Sequence, residues 1–269
     1  MDFLIAFITQ MLASVGVIFI FGSIIALLRR SFCGIAGRSG PKILLITGII
    51  GTPVHELSHA LMCLLFGHKI TDIKLYQPKS DDGALGYVSH TYNKRNVFHQ
   101  IGNFFIGTAP ILLGGGIIVL LMLLLVPNAF EVISLELDIL SSSDIGSMPI
   151  SNLFDFILTS IVEIFSADNL SSWQGWLFIV LSLMISSHME MSGADIKNGL
   201  RGFAFVLVIV LALDALLYFI SPDALDNMTA FTVSFGLLIA AILSISVIFL
   251  TAMLILALIF KAICSLFTR

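Results

Sequence analysis

The sequence has few charged residues and few cysteines, and both shortages limit the kinds of protein that it can encode. Only 11% of its 269 residues are charged, 13 basic and 17 acidic, whereas soluble proteins have about 25%. The Lys and Arg residues are dispersed between apolar runs, so the sequence predicts no nucleic-acid partner. The three cysteines lie far apart and predict neither a disulfide framework nor a cysteine-based zinc site.

The sequence is instead rich in hydrophobic residues, which make up 58% of the chain, against about 45–50% in soluble proteins. Many of them lie in long uninterrupted runs. Allowing about 20 apolar residues for each crossing, we predict spans at residues 3–28, 43–67, 101–126, 173–191, 202–220 and 231–262. The first run lacks a basic n-region and a cleavage pattern, so we expect it to be retained. The sequence therefore predicts an all-α polytopic membrane protein with about six transmembrane helices, one membrane domain over residues 1–269, in contact with the lipid bilayer.

A short segment after the second span departs from this apolar pattern. Residues 69–76 and 84–92 are rich in β-formers, and residues 78–83 between them are rich in turn formers. This pattern predicts a small membrane-associated β-hairpin.

Glycine and proline predict irregular backbone within two spans. In the second span, Pro53 predicts a helix that begins in mid-membrane with Thr52 as its N-cap. In the third span, several glycines and Pro110 predict a bent or partly unwound segment. Residues 150–165 are apolar but carry Asp155 and Glu163, and this pattern predicts a helix at the membrane interface.

The distribution of Lys and Arg predicts the orientation in the membrane. Segments 68–96, 192–202 and the C-terminal end are basic, whereas 127–172 contains no Lys or Arg. The positive-inside rule places the basic segments in the cytoplasm. We therefore predict an integral, multi-pass protein of the plasma membrane with a cytoplasmic C-terminus. Segment 29–42 is also basic and would then lie outside, so its side stays open.

The most informative motif is His55-Glu56-Leu57-Ser58-His59, which lies inside the second span. Residues i and i+4 of an α-helix share one face, so both imidazoles can bind one Zn²⁺ while Glu56 serves as a general base. Ionisable groups are costly at membrane depth, which favours a functional role. The alternative is a helix whose two histidines only hydrogen-bond to neighbouring helices.

A third zinc ligand must come from elsewhere, because catalytic zinc sites typically have three protein ligands and a water. Asp195, predicted at the end of the fourth span, is preferred, since a cation would compensate its buried carboxylate. His188, predicted two turns earlier on the same helical face, is the runner-up or a supporting residue. Glu190 is expected to face the interface or a basic partner.

The remaining polar residues receive weaker assignments. Asp214 is predicted to make a structural polar contact within the membrane. Asn103 is a candidate for binding a substrate backbone, with the alternative that it bridges two helices. The other histidines, expected to be solvated or interfacial, are His68, His90 and His99.

Together these features resemble the site-2 protease family of intramembrane zinc metalloproteases. The resemblance rests on the His-Glu-x-x-His helix, the hairpin after it, the interrupted span at Gly107-Thr-Ala-Pro110 and a later aspartate. It implies that His55, His59 and Asp195 bind zinc and that Glu56 is the base. The family usually places this aspartate in an Asn/Pro-rich stretch ending Asp-Gly, whereas residues 188–197 read HMEMSGADIK. His188 therefore stays open as a ligand.

We accordingly expect a zinc endopeptidase that cleaves a membrane protein or membrane-bound peptide in or near a transmembrane segment. Residues 43–200 would form the catalytic core, preceded by an N-terminal helix with a basic loop over 1–42 and followed by two helices over 201–269. The hairpin would pair with an extended substrate, with Tyr87 and Val88 as contacts. The alternative is a non-catalytic metal-binding membrane protein, a pseudoprotease or a transporter, in which buried His and Asp serve ion passage.

Overall fold

The computed structural model describes residues 2–80, 83–142 and 150–267, which form helices and one small antiparallel sheet. The elements in chain order are α1 (Phe3–Met11), α2 (Val17–Ala36), α3 (Gly40–Leu65), β1 (Lys69–Lys74), β2 (Tyr87–Thr91), α4 (Val97–Leu125), α5 (Pro127–Ser142), α6 (Ile150–Ile164), α7 (Ala167–Ser171), α8 (Trp173–Ser186), α9 (Gly193–Ile220) and α10 (Pro222–Phe267). The predicted all-α fold with a β-hairpin is confirmed. The predicted turn includes residues 81–82, which lie outside the described residues.

Within the described residues, four helical runs are long and apolar enough to cross a membrane, and the chain is a membrane protein. They cover residues 3–65, 97–125, 193–220 and 222–266. The first combines α1 and α2, joined by a π-helical turn, with α3, which follows a break at Gly37–Ser39. At about 1.5 Å per residue this run is about 95 Å long, against a hydrocarbon thickness of about 30 Å. The number of crossings therefore stays a prediction.

The helices pack around a core in which α4 and α8 are central. α4 packs against α3, α8 and α9, while α10 packs against α2, α4 and α8. Fully buried side chains from these helices fill the interior, among them Ile25, Ile111, Phe178 and Phe249. One face of α3 points away from this core and exposes three leucines at helical spacing, Leu57, Leu61 and Leu64. Its opposite face carries the motif histidines into the protein.

The prediction that a helix begins at Pro53 is wrong, because α3 runs unbroken from Gly40 to Leu65 with Pro53 inside it. A proline costs an interior helix about 3 kcal/mol. The packing of α3 against α8 and the residues after α8 offsets this cost. A Cβ atom at Gly51 would lie only 2.9 Å from the His188 Cβ atom, which shows how closely this face of α3 approaches them.

For the third span, the predicted alternative of a partly unwound segment is wrong, because α4 is continuous and includes Pro110. Its glycines allow close contact with neighbouring elements. A Cβ atom at Gly107 would lie 2.9 Å from the Gly199 Cα atom on α9, and one at Gly114 would lie 2.8 Å from Met189 Cγ. Small residues at helix–helix contacts are typical of membrane proteins.

The predicted boundaries around the fourth span are wrong. α8 ends at Ser186, and α9 begins at Gly193 with Ser192 as its N-cap. Ser192 and Asp195 form a capping box: the Asp195 backbone N–H donates to Ser192 Oγ over 3.2 Å, and the Ser192 N–H donates to Asp195 Oδ2 over 2.8 Å. Asp195 therefore lies in the first turn of α9, and His188 lies in the connection rather than on the same helix.

The segment between α4 and α8 is more helical than expected. The predicted helix at residues 150–165 is present as α6, and α5, which the sequence did not predict, packs against it. The predicted interfacial position of α6 stays a prediction. The sixth predicted span begins earlier than expected, since α10 starts at Pro222.

Gly107 provides a test of the close contact between α4 and α9. The Gly107→Ala variant should lose about 1–3 kcal/mol of stability, because its methyl group would meet backbone atoms of Gly199. Thermal unfolding in detergent would report the loss as a lower midpoint. Gly116→Ala on the same helix is the matched control, since a Cβ atom there meets no described atom within 4 Å. Equal unfolding midpoints for the two variants would contradict the close approach of α4 and α9.

Candidate metal and catalytic site

α3 and the first turn of α9 bring three potential metal ligands to one point. His55 and His59 lie one turn apart on α3, with their Nε2 atoms 3.1 Å apart. Asp195 Oδ1 lies 3.3 Å from His59 Nε2, and Asp195 Oδ2 lies 3.8 Å from His55 Nε2. These are the separations that ligands of one small metal ion require, and each residue can offer one ligand atom within 4.8 Å of the others.

Backbone carbonyls define the proton positions on both imidazoles. His55 Nδ1 donates to the His188 carbonyl oxygen and His59 Nδ1 donates to the Ile106 carbonyl oxygen, each over 2.7 Å. A carbonyl oxygen only accepts, so in each neutral ring the proton is on Nδ1 and Nε2 carries a lone pair. Metal-binding histidines usually hold their second nitrogen in this way.

The geometry fits a tetrahedral zinc ion. With zinc–nitrogen and zinc–oxygen bonds of about 2.0–2.2 Å, two ligands of a tetrahedron are about 3.3–3.6 Å apart. The 3.1 Å between the two imidazole nitrogens lies just below this range, and the 3.3 Å from His59 Nε2 to Asp195 Oδ1 lies at its lower end. The 3.8 Å from His55 Nε2 to the other oxygen, Asp195 Oδ2, lies just above it. Two unprotonated nitrogens and a carboxylate would repel one another without a cation, so this donor set suits a metal.

Asp195 is held in place independently of a metal. Its Oδ2 atom accepts the Ser192 backbone N–H, while Oδ1 is the oxygen nearer to His59. Its side chain is 14% exposed. A carboxylate in the first turn of a helix is also stabilised by the helix dipole.

Glu56 lies in the wall of a cavity beside these ligands, with only 6% of its surface exposed. The cavity has a volume of about 240 Å³ and is bounded by α3, α4, α9 and the hairpin. The hairpin backbone approaches closely, because a Cβ atom at Gly86 would lie 2.8 Å from both Glu56 Cγ and the Lys74 carbonyl oxygen. The glutamate therefore shares one cavity with the three potential ligands, and the hairpin forms part of the wall of that cavity.

His188 supports the site through its backbone rather than its side chain. Its carbonyl accepts the proton of His55, while its imidazole lies next to Thr47 Oγ1 at 3.0 Å and Thr52 Oγ1 at 3.4 Å. The structure does not bring this imidazole to the three ligands. Glu190, nearby, pairs with Arg29, which is the basic partner that the sequence allowed.

The predicted substrate contacts lie in different places. Tyr87 and Val88 line the cavity, whereas Asn103 is buried and lies outside the cavity lining. The Tyr87 hydroxyl donates to Asp72 Oδ2 over 2.6 Å, and this bond holds the pKa of Asp72 below its ordinary value. Asn198 also lines the cavity and was missed, although its position three residues after Asp195 places it on the same helical face.

Two predictions for polar residues outside the cavity have different outcomes. Asp214 makes the expected polar contact, accepting a hydrogen bond from Gln10 Nε2 over 3.0 Å. The expectation that His68 is solvated or interfacial is wrong, because it is only 3% exposed. Burial lowers the pKa of His68 accordingly. The sequence alone did not predict the burial of His68, because the residues that cover it come from the hairpin and from the start of α4.

Two other cavities in the described part of the chain are larger but chemically simpler. These two apolar cavities have volumes of about 440 Å³, and neither is lined by a described His, Asp or Glu. The cavity beside Glu56 is therefore the better candidate for a catalytic site. Comparisons with known proteins add no assignment, because no family model, curated protein or solved structure matches the chain.

Proposed function

We propose that the protein is an intramembrane zinc metalloprotease similar to the site-2 protease family, which hydrolyses a peptide bond in or near a transmembrane segment of another membrane protein. The observation that carries the proposal is the convergence of the His55 and His59 Nε2 atoms and the Asp195 carboxylate beside a buried glutamate. The apolar helical runs around the site support a substrate that is itself embedded in the membrane.

His55, His59 and Asp195 would hold the zinc ion, which when bound polarises the scissile carbonyl and acidifies an attacking water. Glu56 accepts a proton from that water and passes it to the leaving amine. The His188 and Ile106 carbonyls keep both imidazoles oriented, so the ligands need no rearrangement when substrate enters.

The hairpin can present the substrate to these groups. Within the described residues the sheet has two strands, so β2 is paired with β1 along one edge only. Tyr87 and Val88 of β2 line the cavity next to Glu56. An extended peptide that pairs with the other edge of β2 would have its carbonyls free of helical hydrogen bonds, as hydrolysis requires.

The Glu56→Gln variant should lose cleavage of a co-expressed membrane substrate by at least about 10²–10⁴-fold, because an amide cannot act as the base. It should keep the zinc content of the wild type, since Glu56 is not a ligand. Metal analysis of the purified protein and immunoblotting of the substrate check both expectations.

Glu131→Gln, an exposed change on α5, is the matched control and should keep full activity. Continued turnover by Glu56→Gln would refute the role of Glu56 as base. Metal flux into proteoliposomes that survives Glu56→Gln, with no peptide product, would favour the transporter alternative.

The third ligand can be tested by comparing Asp195→Ala with His188→Ala. Asp195→Ala should lose zinc and activity together. His188→Ala should keep its zinc, because the carbonyl that orients His55 remains, and should slow turnover by at most about 10–100-fold. Zinc content per chain and the cleavage rate are the two measurements. If zinc were lost only from His188→Ala, His188 would be the third ligand and Asp195 the supporting residue.

Gly86 tests the role of the hairpin in the cavity. A Gly86→Ala change would push β2 away from Glu56 and Thr52, so we expect a cleavage rate roughly 10- to 100-fold lower with unchanged zinc content. Gly193→Ala is the matched control, because a Cβ atom there meets no described atom within 4 Å. A normal rate for Gly86→Ala would show that the hairpin does not position the substrate.

A further inference from the structure

A second cluster of metal-binding side chains lies at the C-terminal end of α3. Cys63, His68 and His90 each offer a ligand atom within 4.8 Å of the others. Cys63 is fully buried, and His68 is nearly so. Cys63 lies one helical turn beyond His59, so the two clusters are neighbours on the same face of α3.

The end of α3 brings Cys63 and His68 together. The His68 backbone N–H donates to the Cys63 carbonyl over 2.8 Å, and the Gly67 N–H donates to the Leu64 carbonyl over 3.2 Å. This pair of bonds is a Schellman motif, which needs a residue with positive φ at its turn. Gly67 supplies it with a φ of +70°. The chain therefore turns back and places His68 beside the thiol.

The hairpin supplies the third side chain. His90 on β2 pairs with Ile70 on β1, two residues after His68. This register sets His68 Nδ1 and His90 Nδ1 3.0 Å apart. Two ligands of a tetrahedral zinc ion are about 3.3 Å apart when both are imidazole nitrogens, so a shift of a few tenths of an ångström accommodates the metal.

The orientation of the His68 ring also favours a metal site. Its Nε2 atom donates to the His99 carbonyl oxygen over 2.9 Å, and its ring stacks on Tyr92 with centroids 4.6 Å apart. The carbonyl only accepts, so in the neutral ring Nδ1 carries a lone pair aimed at His90. A ring held by a backbone carbonyl on one nitrogen is the usual state of a metal-binding histidine.

We propose that Cys63, His68 and His90 form a second metal site, separate from the His55, His59 and Asp195 group, which binds zinc or a similar thiophilic divalent cation. A thiolate with two imidazoles suits zinc rather than Mg²⁺ or Ca²⁺. The metal ties β2 to the end of α3 and so holds the hairpin against the cavity that His90 helps to line. The competing explanation is a hydrogen bond between the two imidazoles beside an ordinary buried thiol.

Cobalt substitution distinguishes these explanations without measuring cleavage. The purified full-length protein is loaded with Co²⁺, and its metal content and near-ultraviolet absorption are recorded. We expect two ions per chain and a sulfur-to-cobalt charge-transfer band. His55→Ala should lose one ion and keep the band, whereas Cys63→Ser should lose the other ion and the band together.

The chain offers matched controls at its other two cysteines, Cys33 and Cys264, which lie outside this cluster. Cys33→Ser and Cys264→Ser should keep both ions and the band. Absence of the band from the loaded wild type, or its persistence in Cys63→Ser, overturns the proposal. Loss of all metal in His55→Ala likewise overturns it. A single ion with a band that His55→Ala does not change would support this site while refuting the proposed catalytic one.

His90→Gln provides a second test if the buried Cys63→Ser change prevents folding. His90 lies half-buried on the hairpin, where glutamine is tolerated more readily. This variant should release the second ion on dialysis against a weak chelator while retaining the ion of the His55 group. Retention of both ions by a folded His90→Gln protein contradicts the second site.

Discussion

The candidate site depends above all on the close packing of α3 against α4 and against the connection after α8, inside an apolar helix bundle. The two imidazole nitrogens of His55 and His59 face each other because backbone carbonyls of neighbouring elements take their N–H groups. Those carbonyls belong to α4 and to the connection after α8, so the packing of α3 against both is what fixes the rings. The close contacts at Gly51 and Gly107 therefore help to hold the two histidine rings in place, as well as the helices.

The sequence predicted those features that depend on residue type and on local spacing alone. The spacing of His55 and His59 follows from helix geometry alone, and the β-formers on both sides of a turn were enough to predict the hairpin. Asp195, predicted as the third ligand, does lie beside the two histidines, although the prediction placed it on the wrong helix. Ser192 is the N-cap of α9. The sequence prediction missed this cap because it placed the spans by counting apolar residues.

The failures share one physical cause, which is that tertiary packing overrides local preference. Pro53 and Pro110 predicted interrupted helices, yet both lie inside unbroken ones. Neighbouring elements pack closely against the glycines of these two helices. The cluster of Cys63, His68 and His90 also escaped detection. Its spacing matches no linear metal motif, because a helix end and a strand register bring the three residues together only after folding.

The capping box at the start of α9 affects how the protein reaches its functional state. One carboxylate oxygen of Asp195 is already bonded to the backbone, so the side chain is fixed whether or not a cation has arrived. Under the proposed function, folding in the bilayer and uptake of the cation would then be separate events, because the backbone alone places the carboxylate. On that proposal, the supply of metal rather than folding would decide how much of the protein is loaded.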